Sequence, residues 1–255
     1  MKIWALGDAV VDLLPAGDMN YQACAGGAPL NVAVGVARLA GDSAFIGRIG
    51  NDPFGRFLKR TLEEQGVGTE SMLTDETHRT STVVVDLATS GERSFSFLVN
   101  PSADQFLTSR DLPVFGKDIL HYCSLALAAE SCREAVVQAS KKVKAREGWV
   151  SFDVNLREQM WTDKAEMRRI IEQQCGSADI LKLSDEELFW LTEDETSDWD
   201  EALDLLSRYP APLKVITRGK EGGIVFCGQE KFSFPGYNVK SIDTTGAGDA
   251  VMAGR

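Results

Sequence analysis

Three small residues followed by a carboxylate, Gly246-Ala247-Gly248-Asp249, stand near the C-terminal end of the sequence. Glycines directly before a helix leave backbone N–H groups uncovered, and the helix dipole adds partial positive charge there. Such a segment can bind an anion, and a carboxylate beside it can accept a proton from a hydroxyl that attacks the anion. Phosphoryl transfer requires this combination. The pattern by itself favours Asp249 as a general base no more than as an ordinary helix cap.

A second glycine-rich turn lies near the N-terminus, in Ala25-Gly26-Gly27-Ala28-Pro29-Leu30-Asn31. It also precedes a predicted helix, and it puts the amide of Asn31 in the first turns of that helix. Glycine permits a close approach of the backbone to a ligand, and an amide can both donate and accept hydrogen bonds.

The two turns resemble the two signatures of the PfkB, or ribokinase-like, carbohydrate kinase family. GG-A-P-x-N-V-A matches the N-terminal signature and D-T-T-G-A-G-D-A matches the C-terminal one, in the order that the family has. The resemblance covers essentially the whole chain. The blocks GDAVVDLLP, GERSFSFLVNPSAD and FDVNLREQMW are most similar to the fructokinase branch.

The resemblance implies an ATP-dependent kinase that phosphorylates a primary hydroxyl of a sugar, with fructose and its 6-hydroxyl as the first expectation. It implies that Asp249 is the catalytic base and that Gly246, Ala247 and Gly248 form the anion hole. The sugar-binding residues that it implies are Asp12, Asp8, Gly26, Gly27, Asn31, Arg93 and Asn100. For Asp8 a simple turn, and for Arg93 a solvated charge, remain open as alternatives.

On the nucleotide side the resemblance implies ATP and Mg²⁺ as cofactors, with K⁺ as a further candidate. The residues implied near the nucleotide and its phosphates are Asn155, Arg157, Lys182, Ser184, Thr217, Gly219 and Gly222. Glu187 is implied to hold Mg²⁺ through water, although Ser184-x-x-Glu187 also reads as a capping box. Asp243 matches a position that binds a monovalent cation in some relatives.

The elements that must position these residues follow an α/β pattern. Strands are predicted at 2–6, 80–87, 93–99, 119–127, 149–152, 180–183, 214–217, 223–227 and 231–234, and helices at 28–40, 53–66, 131–147, 167–174 and 186–191. Asp52-Pro53 is predicted to cap the second helix, and Ser131-x-x-Glu134 predicts a capping box at the start of the third. Strands that alternate with helices predict a mostly parallel sheet. The resemblance adds a three-layer ribokinase-like fold with one α/β kinase domain over 1–255. It also adds a small β-sheet lid formed by about 12–25 and 79–100.

Composition excludes several other classes of protein. The net charge of −11 argues against nucleic acid or an anionic membrane as a partner, and the apolar runs are too short to cross a bilayer. Five scattered cysteines without a C-x-x-C pair predict a reduced, cytoplasmic protein without a zinc site. A G-x-G-x-x-G after the first strand and a P-loop motif are both absent from the sequence, which excludes a Rossmann dehydrogenase and a P-loop NTPase.

One departure from the family concerns the C-terminal side. Family members continue beyond the position of Arg255 with further helices that complete the adenine pocket and the cation site. The helix after Gly248 is therefore expected to be short, unsupported and marginal. This leaves a second function open, a non-catalytic sugar-binding or regulatory module, besides a kinase for another sugar, a sugar acid or a nucleoside. The lid implies a homodimer.

Overall fold

A sheet of nine strands forms the centre of the molecule. The structure is a computed structural model that describes residues 1–87, 93–193, 195–237 and 246–254. Its strands are β1 (Ile3–Leu6), β2 (Val10–Pro15), β3 (Tyr21–Gly26), β4 (Ser43–Gly50), β5 (Gly68–Asp75), β6 (Ser81–Leu87), β7 (Arg93–Phe97), β8 (Ile119–Cys123), β9 (Trp149–Asp153), β10 (Ile180–Ser184), β11 (Leu213–Thr217), β12 (Gly223–Cys227) and β13 (Glu230–Phe234). The large sheet has the order β13-β12-β11-β10-β9-β8-β1-β4-β5.

The large sheet is parallel from β11 to β5, whereas β12 and β13 are added antiparallel at one edge. The predicted mostly parallel sheet is therefore confirmed. Because the parallel strands all run in one direction, the residues that follow them meet along one edge, where α/β proteins bind their ligands. Asp8, Asp153, Ser184 and Thr217 all lie at or just beyond these strand ends.

Helices cover both faces of this sheet. They are α1 (Ala28–Arg38), α2 (Pro53–Glu64), α3 (Glu130–Lys144), α4 (Lys164–Cys175), α5 (Asp185–Thr192), α6 (Trp199–Leu205) and α7 (Ala247–Ala253). Successive strand residues point to opposite faces. Leu6 accordingly packs in the core cluster with α3 to α6, and Ala5 in the cluster with α1 and α2. The three-layer ribokinase-like fold is confirmed, and no described helix is long and apolar enough to span a membrane.

Several local predictions can be compared directly with the structure. Asp52 caps α2 by accepting a hydrogen bond from the Gly55 N–H at 2.8 Å, with Pro53 as the first helical residue. The predicted capping box at Ser131 is wrong. Helix α3 begins one residue earlier, and the Ser131 hydroxyl instead donates to the Leu107 carbonyl oxygen at 2.7 Å.

Two other elements differ from their predictions. The strand predicted over 119–127 ends at Cys123, because Ser124–Leu127 forms a 3-10 turn whose Ser124 hydroxyl donates to the Asn155 carbonyl oxygen at 2.9 Å. Strands β4 and β5 had no counterpart in the sequence prediction. Residues of β4 are buried on both faces of the sheet, and the buried residues of β5 are three positions apart, so neither strand has the two-residue alternation that would predict it.

A second, smaller sheet has the order β3-β2-β6-β7. Strands β2 and β6 run parallel, and the outer pairs β2–β3 and β6–β7 run antiparallel. Its strands lie within 10–26, 81–87 and 93–97, the parts of the chain where a lid is predicted at about 12–25 and 79–100. Val11, Val83 and Val85 are buried on this sheet.

Candidate active site

A cavity of about 1010 Å³ is lined both by the loops after the parallel strands and by the small sheet. It brings together most of the residues that the sequence singled out. Those that line it are Asp8, Asp12, Gly27, Asn31, Asn155, Arg157, Lys182, Ser184, Glu187, Thr217, Gly219, Gly246, Ala247, Gly248 and Asp249. They come from both ends of the chain and from the ends of three strands between them, β9, β10 and β11.

Asp249 lies in the first turn of α7, with 6% of its surface exposed. Its Oδ2 accepts a hydrogen bond of 2.8 Å from Nδ2 of Asn31 in α1. Burial raises the pKa of the Asp249 carboxyl, against the opposing effects of this hydrogen bond and of the Lys182 and Arg157 charges. The helix itself is capped by Gly246 in the left-handed conformation (φ 74°), without a side-chain capping bond. The carboxylate therefore faces Asn31 and the cavity and does not cap its own helix.

Helix α7 is held in place by α1. Val32 and Val36 of α1 form a small core cluster with Met252 and Ala253 of α7. The two helices are in close contact at Gly35, where an added Cβ would lie 2.5 Å from the Ala253 Cβ. The expectation that the helix after Gly248 is unsupported is wrong, because the N-terminal signature helix provides the surface on which it packs.

A buried ion pair lies beside the glycine-rich turn. Lys182 in β10 has its Nζ 3.0 Å from Oδ1 of Asp153 in β9, and the two side chains are 6% and 0% exposed. A Cβ built on Gly248 would lie 3.0 Å from the Lys182 Nζ, so the ammonium sits against the Gly248 backbone. Burial opposes the charged form of Lys182, but the neighbouring Asp153 and Glu187 carboxylates outweigh it and raise the pKa of the ammonium.

Asp8 and Asp12 reach the cavity from the other side. Asp8 is 5% exposed, and burial, followed by the charge of Asp104, raises the pKa of its carboxyl to about 7. Gly27 (φ 103°) must be a glycine, because a Cβ there would lie 2.5 Å from the Asp8 carbonyl oxygen. At Gly26 a Cβ would overlap the Asp12 carboxylate. Gly26 therefore makes room for Asp12 and is not itself among the residues that line the cavity.

Glu187 joins two strand ends. Its Oε1 accepts from the Leu156 N–H and its Oε2 from the Ser184 N–H, each at 2.8 Å. The Ser184 hydroxyl accepts from the Glu187 N–H at 3.2 Å, so the predicted capping box is confirmed. The carboxylate holds the loop after β9, in which Asn155 has a left-handed φ of 36°, against the end of β10.

Comparison with known proteins adds the decisive observation. The model of the pfkB family of carbohydrate kinases matches residues 6–255. The chain belongs to this family.

Three members of the PfkB family illustrate its range. The fructokinase of Salmonella typhimurium is 47% identical over 255 residues, covering 99% of this chain and 82% of the relative. The fructokinase of Vibrio cholerae O395, solved with fructose, ADP and a calcium ion bound, is 48% identical with a TM-score of 0.94, over 99% of this chain and 82% of that one. The aminoimidazole riboside kinase of Salmonella enterica, solved with aminoimidazole riboside and an ATP analog, is 34% identical with a TM-score of 0.91. The match covers 100% of this chain and 82% of that one.

Some predicted site residues of this PfkB kinase do not line the cavity. Gly222 (φ 89°) packs against the Phe234 carbonyl oxygen, and Asn100 is exposed, with its Oδ1 accepting from Gln105 Nε2 at 3.3 Å. The side chain of Arg93 and all of Asp243 lie outside the described residues.

The cavity of this PfkB kinase also contains residues that the sequence did not single out. They include Cys123, Asp185, Glu186, Trp190 and Phe97. The sequence analysis also assigned no role to Asp153, which pairs with Lys182 beside the cavity. Its position could have indicated one, because it is a carboxylate directly after a predicted buried strand. Among the described residues no group of three or more His, Cys, Asp or Glu side chains could hold a metal ion.

Proposed function

We propose that this carbohydrate kinase is a fructokinase, which transfers the γ-phosphoryl group of ATP to the 6-hydroxyl of fructose. The observation that carries the proposal is the position of Asp249. Its carboxylate accepts a hydrogen bond from Asn31 and lies beside Gly246, Ala247 and Gly248, in a cavity that the small sheet borders. The relatives agree with it, because a fructokinase that is 48% identical and has the same fold was solved with fructose and ADP bound.

In this proposal Asp249 accepts the proton of the 6-hydroxyl as the hydroxyl oxygen attacks the γ-phosphorus. Burial raises the pKa of the carboxyl, and a higher pKa makes it a stronger base. The Asn31 hydrogen bond occupies Oδ2 and orients the carboxylate. The N–H groups of Gly246, Ala247 and Gly248 donate hydrogen bonds to the phosphoryl oxygens and stabilise the negative charge that develops on them.

Asp12, Asp8 and Asn31 are proposed to hold the sugar hydroxyls, together with Gly27, whose bare backbone lets the sugar approach. Carboxylates suit this task because they accept charge-assisted hydrogen bonds from hydroxyl groups. Asp8 Oδ1 is buried and accepts no hydrogen bond from the described residues. A sugar hydroxyl would supply the donor that this oxygen lacks.

ATP is proposed to lie along the ends of β9, β10 and β11. Arg157 and Lys182 supply positive charge there, Asn155, Ser184 and Thr217 supply polar groups, and Gly219 and Gly222 shape the turn after β11. A metal ion accompanies the nucleotide, and we propose Mg²⁺, which would offset the negative charge of the phosphates when bound.

The residues fit a Mg²⁺ held mainly by phosphates and water, because two carboxylates, those of Asp185 and Glu186, line the cavity. Both oxygens of Glu187 already accept backbone N–H groups, so we propose that Glu187 braces this region. A K⁺ site at Asp243 is proposed from the family resemblance.

The small sheet is proposed to act as a lid of this single kinase domain, with Arg93 and Asn100 moving toward the sugar when it closes. Closure would exclude water, which competes with the sugar as phosphoryl acceptor. The exposed apolar side chains of Met19, Tyr21 and Leu98 on this sheet and its turns support a homodimer through the lid. Five free cysteines and the use of ATP support a cytoplasmic location.

The experiment that tests the function is a coupled ADP-release assay with Mg-ATP and a panel of acceptors. Fructose, ribose, 2-keto-3-deoxygluconate and aminoimidazole riboside form the panel, the last because of the relative that binds it. We expect fructose to give the highest kcat/KM. ADP release with aminoimidazole riboside alone would name a different kinase. If none of the acceptors gave ADP release while calorimetry still detected sugar binding, the result would support the non-catalytic module.

A further inference from the structure

The proposed reaction uses the charge of Lys182, but it leaves the buried partner of this lysine, Asp153, unexplained. The two residues are Cα partners in neighbouring parallel strands, β10 and β9. Their charged atoms lie 3.0 Å apart, with side chains that are 6% and 0% exposed. A Lys182 ammonium has three N–H donors, and within the described residues Asp153 is its one ion-pair partner.

A structural requirement does not explain this pair. Replacing a buried ion pair by apolar side chains of similar volume is often neutral or stabilising, because two charges must be removed from water to form it. Both oxygens of Asp153 also accept no hydrogen bond of normal geometry in the part of the chain that the structure describes. The arrangement therefore leaves much of the charge of each group available to a third group.

The position of Lys182 indicates what that third group is. Its side chain lines the cavity, and its Nζ lies against the backbone of Gly248, one residue before Asp249. A phosphoryl group received by the Gly246–Gly248 backbone would lie within reach of the remaining donors of the ammonium. Lys182 would then contact the oxygens of this phosphoryl group.

We propose that Asp153 is a positioning residue that keeps Lys182 protonated and directed at Gly248, where the ammonium contacts the phosphoryl group during its transfer. This inference rests on the proposed function, because it needs a phosphoryl group at that turn. It adds a role for a residue at the end of β9 that acts through Lys182 and does not itself touch the substrate.

Several charged or titratable groups face the ammonium. Asp153 comes from β9, Glu187 from α5, Cys123 from β8 and Asp249 from α7. Glu187 is held by two backbone N–H groups, so its orientation is fixed independently of Lys182. Asp153 is the carboxylate whose removal changes the surroundings of the ammonium most directly.

The test compares steady-state kinetics of Asp153→Asn, Lys182→Met and the double variant Asp153→Asn/Lys182→Arg with the unchanged protein. Lys182→Met should lower kcat about 100-fold, as the loss of one charge-stabilising donor does, with the KM for fructose nearly unchanged. Asp153→Asn should move the alkaline limb of the kcat profile to lower pH, because a buried lysine without its partner loses its proton more easily. Arginine keeps its proton, so the double variant should lack this displacement.

Lys214→Met is the matched control. Lys214 is a partly buried lysine in the neighbouring strand β11, outside the cavity, whose pKa is lowered by burial alone. It should leave kcat unchanged. An unshifted pH profile in Asp153→Asn, or a loss confined to the KM for fructose in Lys182→Met, would overturn the inference.

A second readout does not depend on turnover. NMR of lysine labelled at the ε position, with Lys182→Met assigning the resonance, follows the ammonium through a pH titration. The midpoint should fall in Asp153→Asn, and an unchanged midpoint would overturn the inference even if the unchanged protein showed no activity. Absence of fructose-dependent turnover in the unchanged protein, with the midpoint shifted, would instead remove the proposed function and leave the pair as an anion-binding element.

Discussion

Replacing Asp8 by asparagine should make the protein more stable at pH 8 and less sensitive to pH. Asp8 is 5% exposed, and its Oδ1 accepts no hydrogen bond from the described residues. Burial, followed by the charge of Asp104, raises the pKa of this carboxyl from 3.8 to about 7. The folded protein therefore holds a proton on Asp8 that the unfolded chain has already released.

The sign and size of the effect follow from this difference. Between the two pKa values the unfolded state binds fewer protons than the folded state, so the free energy of unfolding falls as pH rises from 4 to 7. At about 1.36 kcal/mol per pH unit the total loss is at most about 4 kcal/mol. About 2.5 kcal/mol of it should occur between pH 5 and pH 8, and water in the cavity would reduce this further.

Urea unfolding at pH 5 and pH 8 measures the effect in the unchanged protein and in Asp8→Asn. The asparagine has no charge to release, so the variant should lose about 2.5 kcal/mol less over this interval. Asp42→Asn, which removes an exposed carboxylate, controls for the change in net charge. If the unchanged protein and Asp8→Asn lost stability in parallel, the burial of an ionising Asp8 would be refuted.

Three further predictions concern the reaction. Asp249→Asn should keep fructose binding, measured by calorimetry, and lower kcat about 100- to 10,000-fold, whereas retained turnover would remove Asp249 as the base. Asp12→Ala should raise the KM for fructose and leave the KM for ATP unchanged, and an unaltered fructose KM would exclude Asp12 from the sugar site. Gly35→Ala should displace α7 and lower kcat, because its Cβ would lie 2.5 Å from the Ala253 Cβ. Ala253→Gly in the same chain should restore kcat, and a failure to do so would place the defect elsewhere.

Much of the fold could be predicted because its signals are local. Asp52-Pro53 and Ser184-x-x-Glu187 contain their capping partners within a few residues, and both caps are present as predicted. Ser131 fails for the opposite reason, since its hydroxyl donates to Leu107, 24 residues away. A local pattern cannot show that a distant acceptor will compete for a side chain.

The same distinction separates the predicted from the missed parts of the site. The resemblance of the two signatures to a kinase family assigned Asn31 and Asp249 to one site. This assignment needed no knowledge of how the chain between them folds. The pairing of Asp153 with Lys182 depends on the register between β9 and β10. A shift of one residue would turn Asp153 to the opposite face of the sheet, and register between parallel strands is not readable from one sequence.

The hydrogen bond between Asn31 and Asp249 joins residues that are 218 positions apart. A ribosome adds about 5–20 residues per second, so roughly ten to forty seconds separate the synthesis of these two residues. Through nearly all of that time Asp8, Asp12 and Asn31 are already in the chain, whereas Asp249 has not yet been synthesised. The nascent chain therefore carries the side chains proposed to bind the sugar well before it carries the carboxylate proposed as the base.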